Sequence, residues 1–186
     1  MLTEIEIKTI VRKAFEEIEN DAAELMGGKK HRHLSKAFVA RIGTHFKNKF
    51  ATAYSETRFQ DYKDGKGIKG EWLLDIVVVN MRKTDYKQVP YPDEIEVAIE
   101  SEFAPGQKAF IDDFSKLLHI KATNKIYING IKSSNKEKYI AERMALIREL
   151  FVNRSDQSDY TICFVDHPYG WEKGKDPFVQ IEKISG

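Results

Sequence analysis

The two runs EWLLDIVVV (71–79) and IEVAIESEF (95–103) constrain this chain most, because each reads as a core strand and each carries acid. In the second run, period-two alternation sends Ile95, Val97, Ile99 and Phe103 to one face and Glu96, Ala98, Glu100 and Glu102 to the other. Glu100 and Glu102 therefore point the same way. Asp75 stands in the middle of the first run, one of the most apolar stretches of the chain. Burying like-charged carboxylates is costly unless a cation, a proton or water compensates. If the two runs are neighbouring strands, Asp75 and Glu100 project from the same face, close enough to hold one hard divalent cation such as Mg2+, with Mn2+ as its substitute. Glu102 follows one pleat along. Carboxylates so arranged hold a metal that polarises a phosphoryl oxygen and lowers the pKa of a bound water, which is the chemistry of phosphodiester hydrolysis.

The rest of the pattern supplies elements around these strands. Thr3 and Glu6 make a capping box, and Ile7, Ile10, Val11, Ala14, Phe15, Ile18, Ala22 and Leu25 recur at helical spacing until Gly27 and Gly28. A second helix is expected over Ser35 to Phe50, with Phe38, Ile42, Phe46 and Phe50 four apart. Strands over ATAYSETRF, GEWLLDIVVVN and IEVAIESEF then form an antiparallel meander. A helix in QKAFIDDFSKLLHIKA, a strand at KIYING, a helix from about Asn135 to Asn153, a strand at DYTICFVD and an edge strand in PFVQIEKIS complete the order. Strands followed by helical crossovers imply an α/β fold, a mixed sheet flanked by helices.

At 186 residues the chain suits one domain, 1–186. No apolar run approaches the roughly 18 residues of a transmembrane helix, and MLTEIEIKTI lacks the order of a signal peptide, so the expectation is a cytoplasmic protein without membrane contact. The one cysteine, Cys163, is expected to be a buried thiol. The net charge of +1 hides a block from Lys29 to Ser55 without Asp or Glu, in which Lys29, Lys30, Arg32, Lys36, Arg41 and Lys47 suit a polyanion or a solvated helix face. No Gly-rich phosphate loop and no nucleophilic Ser or Cys motif appears.

Asp75 followed by ESE at Glu100 to Glu102, in a helix, three-strand, helix, strand order, resembles the PD-(D/E)xK nuclease superfamily, and within it type II restriction endonucleases with a Glu-x-Glu variant. The likeness covers roughly Tyr54 to Gly130 and continues into DFSKLLHIKATNKIYI. It implies a restriction endonuclease-like core in α-β-β-β-α-β-α-β order and a Mg2+-dependent endodeoxyribonuclease acting on DNA, most simply as a homodimer with the helix at Asn135–Asn153 as candidate interface. Leu74 stands where the family has proline, and Glu102 where it has lysine. The resemblance implies two ways round the second departure. Glu102 can serve as general base or as a ligand through water, or Lys116 of the following helix can take the lysine's place, unless it only pairs with Asp112 or Asp113. The strand face favours Glu102. Glu71 is a candidate accessory acid, as in some relatives. The competing expectation is a nuclease-fold module that no longer cuts and binds nucleic acid or a protein partner.

Overall fold

The computed structural model describes residues 2–24, 30–59, 74–152, 158–169 and 174–185, with the side chains of 19–24 and 30–33 left out. The expected terminator Gly27-Gly28, Lys29, the loop at Gly65–Lys69 and Glu71 therefore lie outside the described residues. Ten elements follow in order: α1 (Glu4–Glu24), α2 (Lys30–Lys49), β1 (Ser55–Phe59), β2 (Ile76–Lys83), β3 (Pro90–Glu102), α3 (Gln107–Leu118), β4 (Asn124–Ile131), α4 (Lys136–Phe151), β5 (Asp159–Asp166) and β6 (Val179–Ser185). Among the described residues no helix is long and apolar enough to cross a membrane.

The strands form one six-stranded sheet in chain order, β1-β2-β3-β4-β5-β6. The β1-β2-β3 meander and the β5-β6 pair are antiparallel, whereas β3-β4 and β4-β5 are parallel and joined through α3 and α4. The sheet is thus mixed, as the element order implies. One face packs against α1 and α2 through Ile76, Val78, Val97, Ile99, Ile126 and Cys163. The other packs against α3 and α4 through Val77, Val79, Ala98, Tyr127, Ile131 and Ile162. Cys163 is fully buried, and burial pushes its thiol up to about 12.

Local chemistry explains the helix starts. Thr3 N–H donates to Glu6 Oε2 at 2.8 Å while Glu6 N–H donates to Thr3 Oγ1 at 3.3 Å, the reciprocal capping box. At α4, Asn135 Oδ1 accepts from Lys138 N–H at 2.9 Å. The second helix begins five residues before the expected Ser35, because Leu34, one turn before Phe38, is itself buried and extends the apolar stripe backwards.

Three expectations about the acid-bearing strands are corrected. Asp75 is not inside a strand but at the bend leading into β2, where its Oδ2 accepts from Ser101 N–H at 2.8 Å and Ser101 Oγ–H at 2.5 Å. Its side chain, rather than its backbone, ties it to β3. Nor does alternation run unbroken through β3. Val78 pairs with Val97 and Val79 with Ile95, so Glu96 is an extra residue and the face flips there. Ile95 consequently packs with the α3/α4 core instead of joining Val97 and Ile99. Asn124 Nδ2 donates to the Glu96 carbonyl at 3.0 Å at this irregularity. β3 also starts at Pro90, well before the expected Ile95. Among the described residues β2 is its only partner at that end, which leaves an edge where Pro90 and Pro92, lacking N–H groups, are tolerated.

Candidate active site

Past the irregularity the alternation holds, so Ala98, Glu100 and Glu102 share the face covered by α3. The parallel register sets Glu100 beside Tyr127 and Glu102 beside Asn129. Tyr127 points to this face, its ring edge-on to Phe110 and Phe114 at 5.1 and 5.4 Å and its hydroxyl donating to the Phe110 carbonyl at 3.1 Å. Phe110, Phe114 and Leu117, at helical spacing, press α3 onto the sheet. Asp113 and Lys116, each one position before a buried residue of that stripe, are thereby carried to its flank and over the acids.

Lys116 Nζ lies 3.1 Å from Glu100 Oε2 and 2.8 Å from Asp113 Oδ1. The lysine expected to pair with its helix neighbour therefore does so and also reaches across to the strand. Asp112, the other acid named for that pairing, bonds Lys108 instead. Glu100 is only 1% exposed, and its second oxygen, Oε1, is buried without a hydrogen-bond partner. Burial first, then the nearby Asp75 charge, raises its carboxyl to about 8 against the opposing pull of Lys116. Burial likewise raises Asp75, although both bonds from Ser101 favour its charged form. Lys116 is pushed upward: partial burial opposes its charge, but hydrogen bonds to Asp113 and Glu100 outweigh that.

Glu102 lies on the same strand face as Glu100, as expected, and its carboxyl has partners of its own. Its Oε1 accepts from Ala104 N–H at 2.6 Å, and its carboxyl lies close enough to Asp113 to feel that acid. Burial raises Glu102 above the usual carboxylate range, and this contact between two acids adds to the rise. The cluster is thus Asp75, Glu100 and Glu102 from the sheet with Asp113 and Lys116 from the helix. Asp113 is the member that sequence reasoning treats as a mere partner for Lys116. Its signal is the stripe Phe110, Phe114, Leu117, which fixes the sheet-facing side of α3 and puts residues 113 and 116 at that stripe's edge.

The remaining expected residues lie elsewhere. Lys36, Arg41 and Lys47 belong to α2, which packs on the opposite face of the sheet from Glu100. Lys30 and Arg32 start the same helix, with their side chains outside the described residues. Among the described residues, no three His, Cys, Asp or Glu side chains are grouped so as to hold a metal ion by themselves. Oxygen donors are nevertheless at hand, because the orphaned Glu100 Oε1 and the carboxylates of Asp75 and Glu102 are hard ligands of the kind Mg2+ takes. Compared with protein-family models, with curated proteins and with solved structures, the chain matches none of them.

Proposed function

We propose that the chain is a Mg2+-dependent endonuclease that hydrolyses DNA phosphodiester bonds on a restriction endonuclease-like core, with Asp75 and Glu100 as metal ligands. One observation carries the reading: a lysine of the crossover helix, Lys116, stands 3.1 Å from a buried, half-partnered glutamate that feels the charge of Asp75. A purely structural ion pair has no need of a second buried carboxylate beside it, since like charges only raise its cost. Mg2+, when bound, supplies Lewis-acid polarisation of a phosphoryl oxygen and an acidified water. Lys116 provides a positive charge that stabilises the negative charge developing on the phosphate, and Asp113 holds the ammonium in that direction. In this reading Lys116 takes the place of the family's lysine. Glu102, turned to Ala104 N–H and Asp113, serves the loop and the network more than the reacting phosphate.

A second reading rests on the separation of the basic helix α2 from the acids by the whole thickness of the sheet. Such a chain can bind nucleic acid with one face without presenting it to the other, as a module that does not cut. Incubation of supercoiled plasmid with the protein in Mg2+ and in Mn2+ separates the two. Nicking or linearisation that disappears in Asp75→Asn, with circular dichroism unchanged, supports the nuclease. Binding with no cleavage in either metal refutes it.

A further inference from the structure

Asn129 stands on the acid face of the sheet. Its neighbours in β4 fix this: Tyr127 and Ile131 pack on the α3/α4 side, while a Cβ on Gly130 would meet Phe103 on the other side at 2.3 Å. Asn129 Nδ2 donates to the Glu102 carbonyl at 2.8 Å. That oxygen can only accept, so the amide orientation is set, and Oδ1 is directed away from the bond. Oδ1 is then left fully buried with no hydrogen-bond partner, as is Glu100 Oε1. The register makes Glu100 and Asn129 diagonal neighbours on adjacent strands, about 7–8 Å apart at Cα and within reach of each other's side chains. Tyr127, which sits beside Glu100 on the same strand as Asn129, gives its hydroxyl proton to Phe110 and leaves both acceptors unserved.

Two buried oxygens on one face, neither with a hydrogen-bond partner, are a place where a positive centre would be welcome. The acids alone do not gather three deep around a point among the described residues, so a cation there has positions left for water or for an oxygen from another residue type. An amide carbonyl is a regular ligand of hard divalent ions. We propose that Asn129 Oδ1 is a ligand of the divalent cation held by Glu100 and Asp75, a third protein oxygen contributed by β4. This inference rests on the metal site of the proposed function. It adds a ligand that carries no charge and that the Asp75 and Glu-x-Glu pattern does not contain.

Isothermal titration of Mn2+ into the metal-free whole chain tests the assignment, with no nucleic acid present. Wild type is expected to bind, Glu100→Gln to lose binding, and Asn129→Ala to weaken it by more than about tenfold. Asn124→Ala, another buried asparagine at the opposite end of β4, should bind as wild type does. Asn129→Asp retains the oxygen and adds charge, so it should bind at least as tightly as wild type; it also carries the test should Asn129→Ala not fold by circular dichroism. If folded Asn129→Ala binds like wild type while Glu100→Gln does not, the acceptors are bridged by a buried water, and Asn129 is no ligand although the metal reading stands. Loss of binding in folded Asn129→Asp would equally overturn the assignment. If wild type binds neither Mn2+ nor Mg2+, the metal reading falls and this inference with it.

Discussion

Replacing Glu100 by glutamine should make the fold more stable at alkaline pH, which is the reverse of what removal of an ordinary ion-pair partner does. The Glu100 carboxyl is raised from 4.5 to about 8, chiefly by burial and then by Asp75. Below about pH 4.5 it is protonated in both folded and unfolded chains and costs nothing. Between 4.5 and about 8 only the unfolded chain releases the proton, so stability falls as pH rises. Above about 8 both states are ionised and the penalty is constant. At about 1.36 kcal/mol per pH unit, the interval between 4.5 and about 8 amounts to about 5 kcal/mol. Glutamine removes this penalty but must seat an NH2 group at a buried position beside the Lys116 ammonium, with Asn129 Oδ1 as the nearby unpartnered acceptor, at a cost of up to about 1–3 kcal/mol. The variant should therefore exceed wild type by about 2–4 kcal/mol at pH 9 and match it or fall below it at pH 5. Urea unfolding in EDTA, followed by circular dichroism at both pH values, measures the two differences. Curves that run parallel in pH would show that Glu100 ionises normally in the fold and would refute the reasoning.

The structure also fixes the direction of three other changes. Gly130→Ala puts a methyl 2.3 Å from Phe103, whose ring is held edge-on by Phe38 and His167, so it should cost about 1–3 kcal/mol by thermal or urea unfolding; an unchanged midpoint would contradict the packing. Combining Lys36→Ala, Arg41→Ala and Lys47→Ala should weaken DNA binding and lower the log-log salt slope by about one unit for each phosphate no longer neutralised; an unchanged slope would mean that α2 does not face DNA. Because α2 lies across the sheet from the acids, single-turnover cleavage at saturating protein should barely change in that variant. Lys116→Ala should lower the single-turnover rate by about 10²-fold or more, whereas Glu102→Gln should lower it less; the reverse ranking would return the role to Glu102.

Much of the fold is legible because burial imposes period. The helices α1 and α2 follow from apolar residues at three- and four-residue spacing, and β6 follows from a short apolar tail at the sheet's edge. The departures come from events that periodicity does not encode. An extra residue at Glu96 reverses which way Ile95 points, and nothing in IEVAIESEF distinguishes a strand with a bulge from one without. Asp75 sits in an apolar run, yet its carboxylate can accept from the backbone of β3, and that bond replaces strand pairing at the very residue the pattern would place mid-strand.

The same distinction separates the parts of the site. Glu100 is readable because a strand displays its side chains in a fixed order, so position in the run determines the face. The lysine is readable only as a candidate that Glu102 outranks, since a helix crossing a sheet meets a given strand residue at a place set by docking. Here three aromatic rings do the setting. Phe110 and Phe114 pack against Tyr127, and Tyr127 lies beside Glu100 in the parallel register; the contact that seats α3 is thus adjacent to the acid that α3 serves. A lysine one position before Leu117 then reaches Glu100 whatever occupies the strand two residues on. In the proposed nuclease reading a glutamate at 102 is then acceptable: with the positive charge delivered from the helix, position 102 can turn to Ala104 and Asp113, and Asp113 in turn holds the helix-borne lysine. Substituting Phe114 should accordingly disturb Lys116 as well as the core, although its side chain makes no polar contact at the site.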